Sequence, residues 1–115
     1  MTENEEAIIF VLDEISKSAL KTIGLDANDT NYVDIMGQIL VGLCTNEDEN
    51  LIVAKAFNVA MMSGVFLPEE EIKNMCASAH EKCGKQLMGL QLANNSIQDF
   101  GCTGAEALSQ IQNFL

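Results

Sequence analysis

The chain has 115 residues, 48% of them hydrophobic, and sets 17 carboxylates against six lysines and no arginine, a formal net charge of −11. That length suits one domain with its own core, and that hydrophobicity excludes disorder, which pairs high charge with low hydrophobicity. The charge argues against a nucleic-acid binder, because six scattered lysines make no basic patch, and an acidic surface without guanidinium forks repels phosphate and favours basic partners.

The acids are unevenly spread. Residues 1–50 carry eleven carboxylates against two lysines, a formal −9, while residues 51–115 carry six against four, only −2. The start, Met1 to Glu6, is acidic where a secretory signal would be basic, and apolar runs such as Ala7–Leu12 are too short to cross a bilayer. The expectation is a cytoplasmic protein with no membrane partner. Its four cysteines (Cys44, Cys76, Cys83, Cys102) then read as reduced thiols packed as small hydrophobes. With six aromatic residues and no Trp, the core must rest on Ile, Leu, Val, Ala and Met. Phe10, Phe57, Phe66, Phe100 and Phe114 are its expected bulky pieces.

Periodicity predicts an all-α fold, a single compact domain of about five helices. The first helix runs from about Glu3 to Ile23, with Ile8, Val11, Leu12, Ile15, Ala19 and Ile23 on one face. Acids fill its first turn, Lys17 and Lys21 lie towards its other end, and Gly24 is a natural stop. Asp29 or Thr30 can cap a second helix over about 31–43, whose Gly37 and Gly42 suit a close helix crossing. Thr45 to Glu49 offers a cap and first turn for a third helix to about Ser63. Apolar side chains nearly surround that helix, which places it at the centre of the fold. Pro68 and three glutamates open a fourth, carrying Ile72, Met75, Cys76, Ala79, Cys83, Leu87 and Leu90 to about Leu92, with bends allowed at Gly84 and Gly89. Asn94-Asn95 reads as a break. Thr103 to Glu106 fits a capping box for a final helix.

Few residues suggest chemistry. Cys76, His80 and Cys83 share one helix face and, with Cys44 or Cys102, have the donor types of a zinc site. No C-x2-C pair accompanies them, so core packing of the thiols is the simpler account and no metal or other cofactor is assigned. His80, the only histidine, is followed by Glu-Lys-Cys-Gly84-Lys-Gln-Leu-Met-Gly89. Over these ten residues the chain resembles a histidine-phosphotransfer domain, whose pattern is roughly H-x-x-K-G with a second glycine beyond. Here Cys83 occupies the lysine position. The resemblance implies a helical bundle with His80 as phosphoacceptor.

No nucleophile–base–orienter set and no phosphate-cradling glycine loop is present, so no catalytic residue is assigned and the chain is read as no enzyme. The leading expectation is a non-catalytic protein-binding factor. It would be a small inhibitor, immunity or adaptor protein of the phage or mobile-element kind, occluding a basic partner surface. Glu3, Glu5, Glu6, Glu47, Asp48 and Glu49 are the expected steering charges, an apolar patch supplying most affinity. Met61-Met62, Met36, Met75 and Met88 are core filler or an adaptable binding surface. The alternatives are a phosphotransfer, metal or redox site at His80, an acidic DNA mimic, and a homodimer packed through Gly37 and Gly42.

Overall fold

A computed structural model describes residues 2–115, and within them the chain is all-α. Six α-helices follow in order among the described residues: α1 (Glu3–Thr22), α2 (Thr30–Cys44), α3 (Glu49–Met62), α4 (Glu69–Lys82), α5 (Gly84–Phe100) and α6 (Gly104–Gln110). A 3-10 turn over Gln112–Phe114 comes last. Their buried apolar residues form one contiguous cluster. No helix among the described residues is long and apolar enough to cross a membrane.

Local chemistry sets most helix starts. Thr2 accepts the Glu5 N–H at 3.1 Å, and Asp29 accepts those of Asn31 and Tyr32. Thr103 and Glu106 exchange both bonds of the expected capping box. The α3 start differs from expectation. Thr45 closes α2 instead, its hydroxyl donating to the Val41 carbonyl at 3.0 Å, and Asp48 caps α3 by accepting the Asn50 N–H. Between them Asn46 turns the chain at φ 55°, a conformation Asn tolerates better than most residues.

The α4–α5 region follows the bend allowed at Gly84 but not the expected break at Asn94-Asn95. The chain breaks at Cys83, and α5 then runs straight through Asn94-Asn95 to a left-handed Gly101. Cys83 is fully buried, and its thiol lies 3.8 Å from the Ala19 carbonyl of α1, which pins the junction. Beyond it Gln86, Gly89, Leu90, Ala93 and Ile97 keep one face buried. That tertiary packing overrides the modest helix penalty of two asparagines.

The centre of the fold is α2, which packs against α1, α3, α4 and α5 and buries Val33, Ile35, Met36, Ile39 and Leu40. Its glycines sit at close crossings. A Cβ at Gly37 would meet Ser16 and Leu12 of α1, and one at Gly42 would lie 2.5 Å from Ile52 Cγ1 of α3. The expectation that α3 is central is therefore corrected: it packs on α2 and α4, burying Ile52, Val53, Ala56 and Ala60. The aromatic expectation is corrected too. Phe10, Phe66 and Phe100 are exposed and Phe57 and Phe114 half-buried, so the core is aliphatic, with isoleucine its main bulk.

Candidate functional site

Seating α3 at the edge leaves half of it uncovered. At 100° per residue, Leu51, Ala54, Asn58, Met61 and Met62 fall in a stripe roughly 100° wide, opposite the buried residues. Leu51 is 47% exposed, Met61 58% and Met62 88%. Gly64 at φ 76° ends the helix, and the following segment tucks Leu67 into the core while leaving Phe66 79% exposed. Four large, exposed apolar side chains thus lie along α3 and just past its C-terminal end.

The acids expected to steer a partner stand at the N-terminus of the same helix. Asp48 is the cap, Glu49 lies in the first turn where the helix dipole favours it, and Glu47 precedes them. Lys55, the only cation of α3, folds back so that its Nζ lies 2.8 Å from Glu47 Oε1. Asp48 and Glu49 make no ion pair among the described residues.

Across from this turn lies α4. Glu47 and Glu49 line a cleft of about 710 Å³ with Cys76, His80 and Glu81. The structure thus brings the acidic turn and His80 to one place. Cys76 is buried, and its thiol is pushed above its ordinary pKa first by burial and then by the Glu49 charge. His80 is exposed, and the charged groups around it are carboxylates, which repel a phosphoryl donor. Lys82 and Lys85, which flank it in sequence, line a different cleft.

The sequence grouping of Cys76, His80 and Cys83 does not converge. Because α4 ends at Lys82, Cys83 leaves the helix face and packs against α1. Cys44 is half-buried with its thiol 3.7 Å from the Leu87 carbonyl, and Cys102 is half-buried beside Gln110. Among the described residues no three His, Cys, Asp or Glu side chains gather as metal ligands would.

Glu3, Glu5 and Glu6 are exposed in the first turn of α1. Glu3 and Glu6 line a second cleft with Phe10 against the Gly101–Ala105 segment, and no residue is shared with the cleft at His80. The structure therefore separates the two groups of acids: Glu47 and Glu49 face α4 at the N-terminal end of α3, and Glu3 and Glu6 lie beside the exposed Phe10. Sequence reading offered Met61-Met62 as an adaptable surface but missed Leu51 and Phe66 beside them, because a helix apolar all round reads as buried. Compared with known proteins, the chain matches no family model, no curated protein and no solved structure.

Proposed function

We propose that the protein is a non-catalytic binding factor that engages a basic, partly apolar protein surface with the outer face of α3 and acts by steric occlusion. The observation that carries this reading is the exposed stripe of Leu51, Met61 and Met62, extended by Phe66, on a helix whose N-terminal end carries Asp48 and Glu49. Exposed apolar side chains gathered on one face mark interaction surfaces far more often than scattered ones do. Fully burying three such anchors is worth roughly 5 kcal/mol before the costs of association.

The charge pattern selects the partner. Carboxylates at the head of the stripe, on a chain of net charge −11, favour a basic partner and raise its encounter rate. Two adjacent methionines let the apolar face adapt to an imperfectly matching surface. A small acidic inhibitor, immunity or adaptor protein fits this description.

The test is affinity capture from the native host with the wild-type chain and with Met62→Asp and Leu51→Asp, followed by titration of the purified partner against salt. Both substitutions lie at exposed positions and leave the core intact. The expected result is a basic partner lost from both variants and weakened as ionic strength rises to physiological. A partner retained by both variants and insensitive to salt, or no partner at all, refutes the proposal.

A further inference from the structure

Four of the six lysines gather in one place. Lys17 and Lys21 of α1 and Lys82 and Lys85 at the α4–α5 junction line a cleft of about 630 Å³, within the size range of small-molecule sites. Glu14 is the only carboxylate side chain lining it, and Lys17 is already held by Asp13 at 3.4 Å and Glu14 at 3.8 Å. Lys21, Lys82 and Lys85 make no ion pair among the described residues.

Helix dipoles account for part of this arrangement. Lys21 and Lys82 lie in the last turns of α1 and α4, where cations are favoured. Lys85 lies in the first turn of the 17-residue α5, where they are not. That first turn has no acidic residue and no side-chain cap, so its leading N–H groups have no side chain to receive them. The N-terminus of α5 and three lysines without an ion pair among the described residues therefore border a cleft that contains one carboxylate side chain.

Gln86 supplies an independent observation. It lines the cleft yet is 4% exposed, and its Nε2 donates to Ser18 Oγ at 3.2 Å and Thr22 Oγ1 at 2.9 Å. The Thr22 hydroxyl in turn donates to the Ser18 carbonyl. Ser18 Oγ, occupied as an acceptor, keeps its own proton free to donate. Gln86 Oε1 has no partner. Turning the amide over would orphan Nε2 instead, so either orientation leaves one polar end unmatched. A buried polar atom without a partner costs stability, and a ligand with both donors and acceptors would remove that cost.

We propose that this cleft binds a phosphate dianion, free or as the terminal group of a small phosphomonoester, on Lys21, Lys82, Lys85 and the N-terminus of α5. The Ser18 hydroxyl donates a further bond, and Gln86, bonded to Ser18 and Thr22, fixes that wall of the site. This site is separate from the α3 face, and neither proposal depends on the other.

The test is an NMR titration of the ¹⁵N-labelled chain with inorganic phosphate and with adenosine 5′-monophosphate, adenosine serving as the uncharged control. Saturable shifts at the amides of Gly84, Lys85 and Gln86 are expected with one or both phosphates and not with adenosine. Saturation by inorganic phosphate identifies the free ion as sufficient, whereas saturation by the monoester alone assigns the organic part to the site. Lys21→Glu and Lys85→Glu should each weaken binding by roughly tenfold or more, the worth of one charge-assisted hydrogen bond. Lys73→Glu, on α4 and outside the cleft lining, should leave it within about twofold, as for any distant surface charge in salt. The proposal is overturned if neither phosphate gives saturable shifts up to about 10 mM, the weak end of measurable affinity. It is equally overturned if Lys73→Glu weakens binding as much as Lys85→Glu, or if an oligonucleotide binds while both small phosphates do not.

Discussion

The α2–α3 crossing, which seats α3 and so exposes its outer face, makes the sharpest stability prediction. Replacing Gly42 with Ala adds one methyl group to α2. In an isolated helix this would stabilise by about 1 kcal/mol, because Gly is the poorest ordinary helix former. In the fold the new Cβ would lie 2.5 Å from Ile52 Cγ1, 3.0 Å from its Cδ1 and 3.3 Å from its Cγ2. Both branches of Ile52 are struck, so changing its rotamer brings no relief. A β-branched residue in a helix has little χ1 freedom in any case, and Ile52 is 1% exposed, held between α2 and α4. The two helices must part instead.

Overpacking of this kind costs about 1–3 kcal/mol, so the propensity gain is outweighed and Gly42→Ala should destabilise by roughly 1–2 kcal/mol. Gly37→Ala is the internal control. Its nearest contacts are Ser16 Oγ at 3.3 Å, which must give by a few tenths of an ångström, and Leu12 Cδ2 at 3.5 Å, an ordinary van der Waals distance. The gain and the cost then nearly cancel, and the expected change is within about 0.5 kcal/mol. Urea unfolding at equilibrium, compared at constant slope, measures both. In the double variant Gly42→Ala/Ile52→Ala the clash is gone, so the two changes should couple favourably by about 1 kcal/mol or more. Gly42→Ala as stable as the wild type, or less damaging than Gly37→Ala, would refute the account of the crossing.

Two further predictions concern titration and access. Cys44, Cys76 and Cys83 are raised from 9.0 chiefly by burial, and Tyr32 from 10.0 by burial and then by its hydrogen bond to Glu71 at 3.1 Å. Folding thus holds these protons where the unfolded chain releases them, so stability should fall as pH rises past 9.0; urea midpoints that stay flat from neutral pH to about 10 under reducing conditions would contradict this. Under native conditions a thiol reagent should modify half-buried Cys102 first and reach Cys76 and Cys83 only through opening of the fold. Mass spectrometry of the time course checks the order, and Cys83 labelled as fast as Cys102 would show that the α4–α5 junction is not closed on α1.

What was legible in the sequence was local. Helical periodicity, the Asp29 cap and the Thr103–Glu106 capping box act within a few residues, and each stands where the pattern put it. What was not legible depends on partners distant in sequence. The break between α4 and α5 is set by Cys83 meeting Ala19, 64 positions away; Gly84 allowed a bend there, but so did Gly89, and only that distant contact decides between them. The place of α3 depends on Gly42 admitting Ile52 on one side and on no helix arriving at the other. An all-round apolar helix reads the same whether buried or half-exposed. The three exposed phenylalanines illustrate the same ambiguity, since hydrophobicity states a preference for burial and not the presence of a partner.

The lysines show why a net charge describes approach better than binding. Spread over positions 17 to 85 they look scattered, yet the packing of α5 on α1 brings four of them to one cleft. At about 4 Å, with the effective dielectric of a protein surface, each ammonium attracts a unit negative charge by roughly 4 kcal/mol before desolvation. A carboxylate about 15 Å away, acting through water and nearly two Debye lengths of salt, opposes it by under ~0.1 kcal/mol. Even the formal −11 of the chain cannot offset the nearest ammonium groups for a small ion inside the cleft. A polyanion differs, because most of its charge stays outside and meets the acidic surface, where repulsions add along its length. The same distribution that would repel a polyanion therefore leaves a single phosphate group attracted inside the cleft, as proposed.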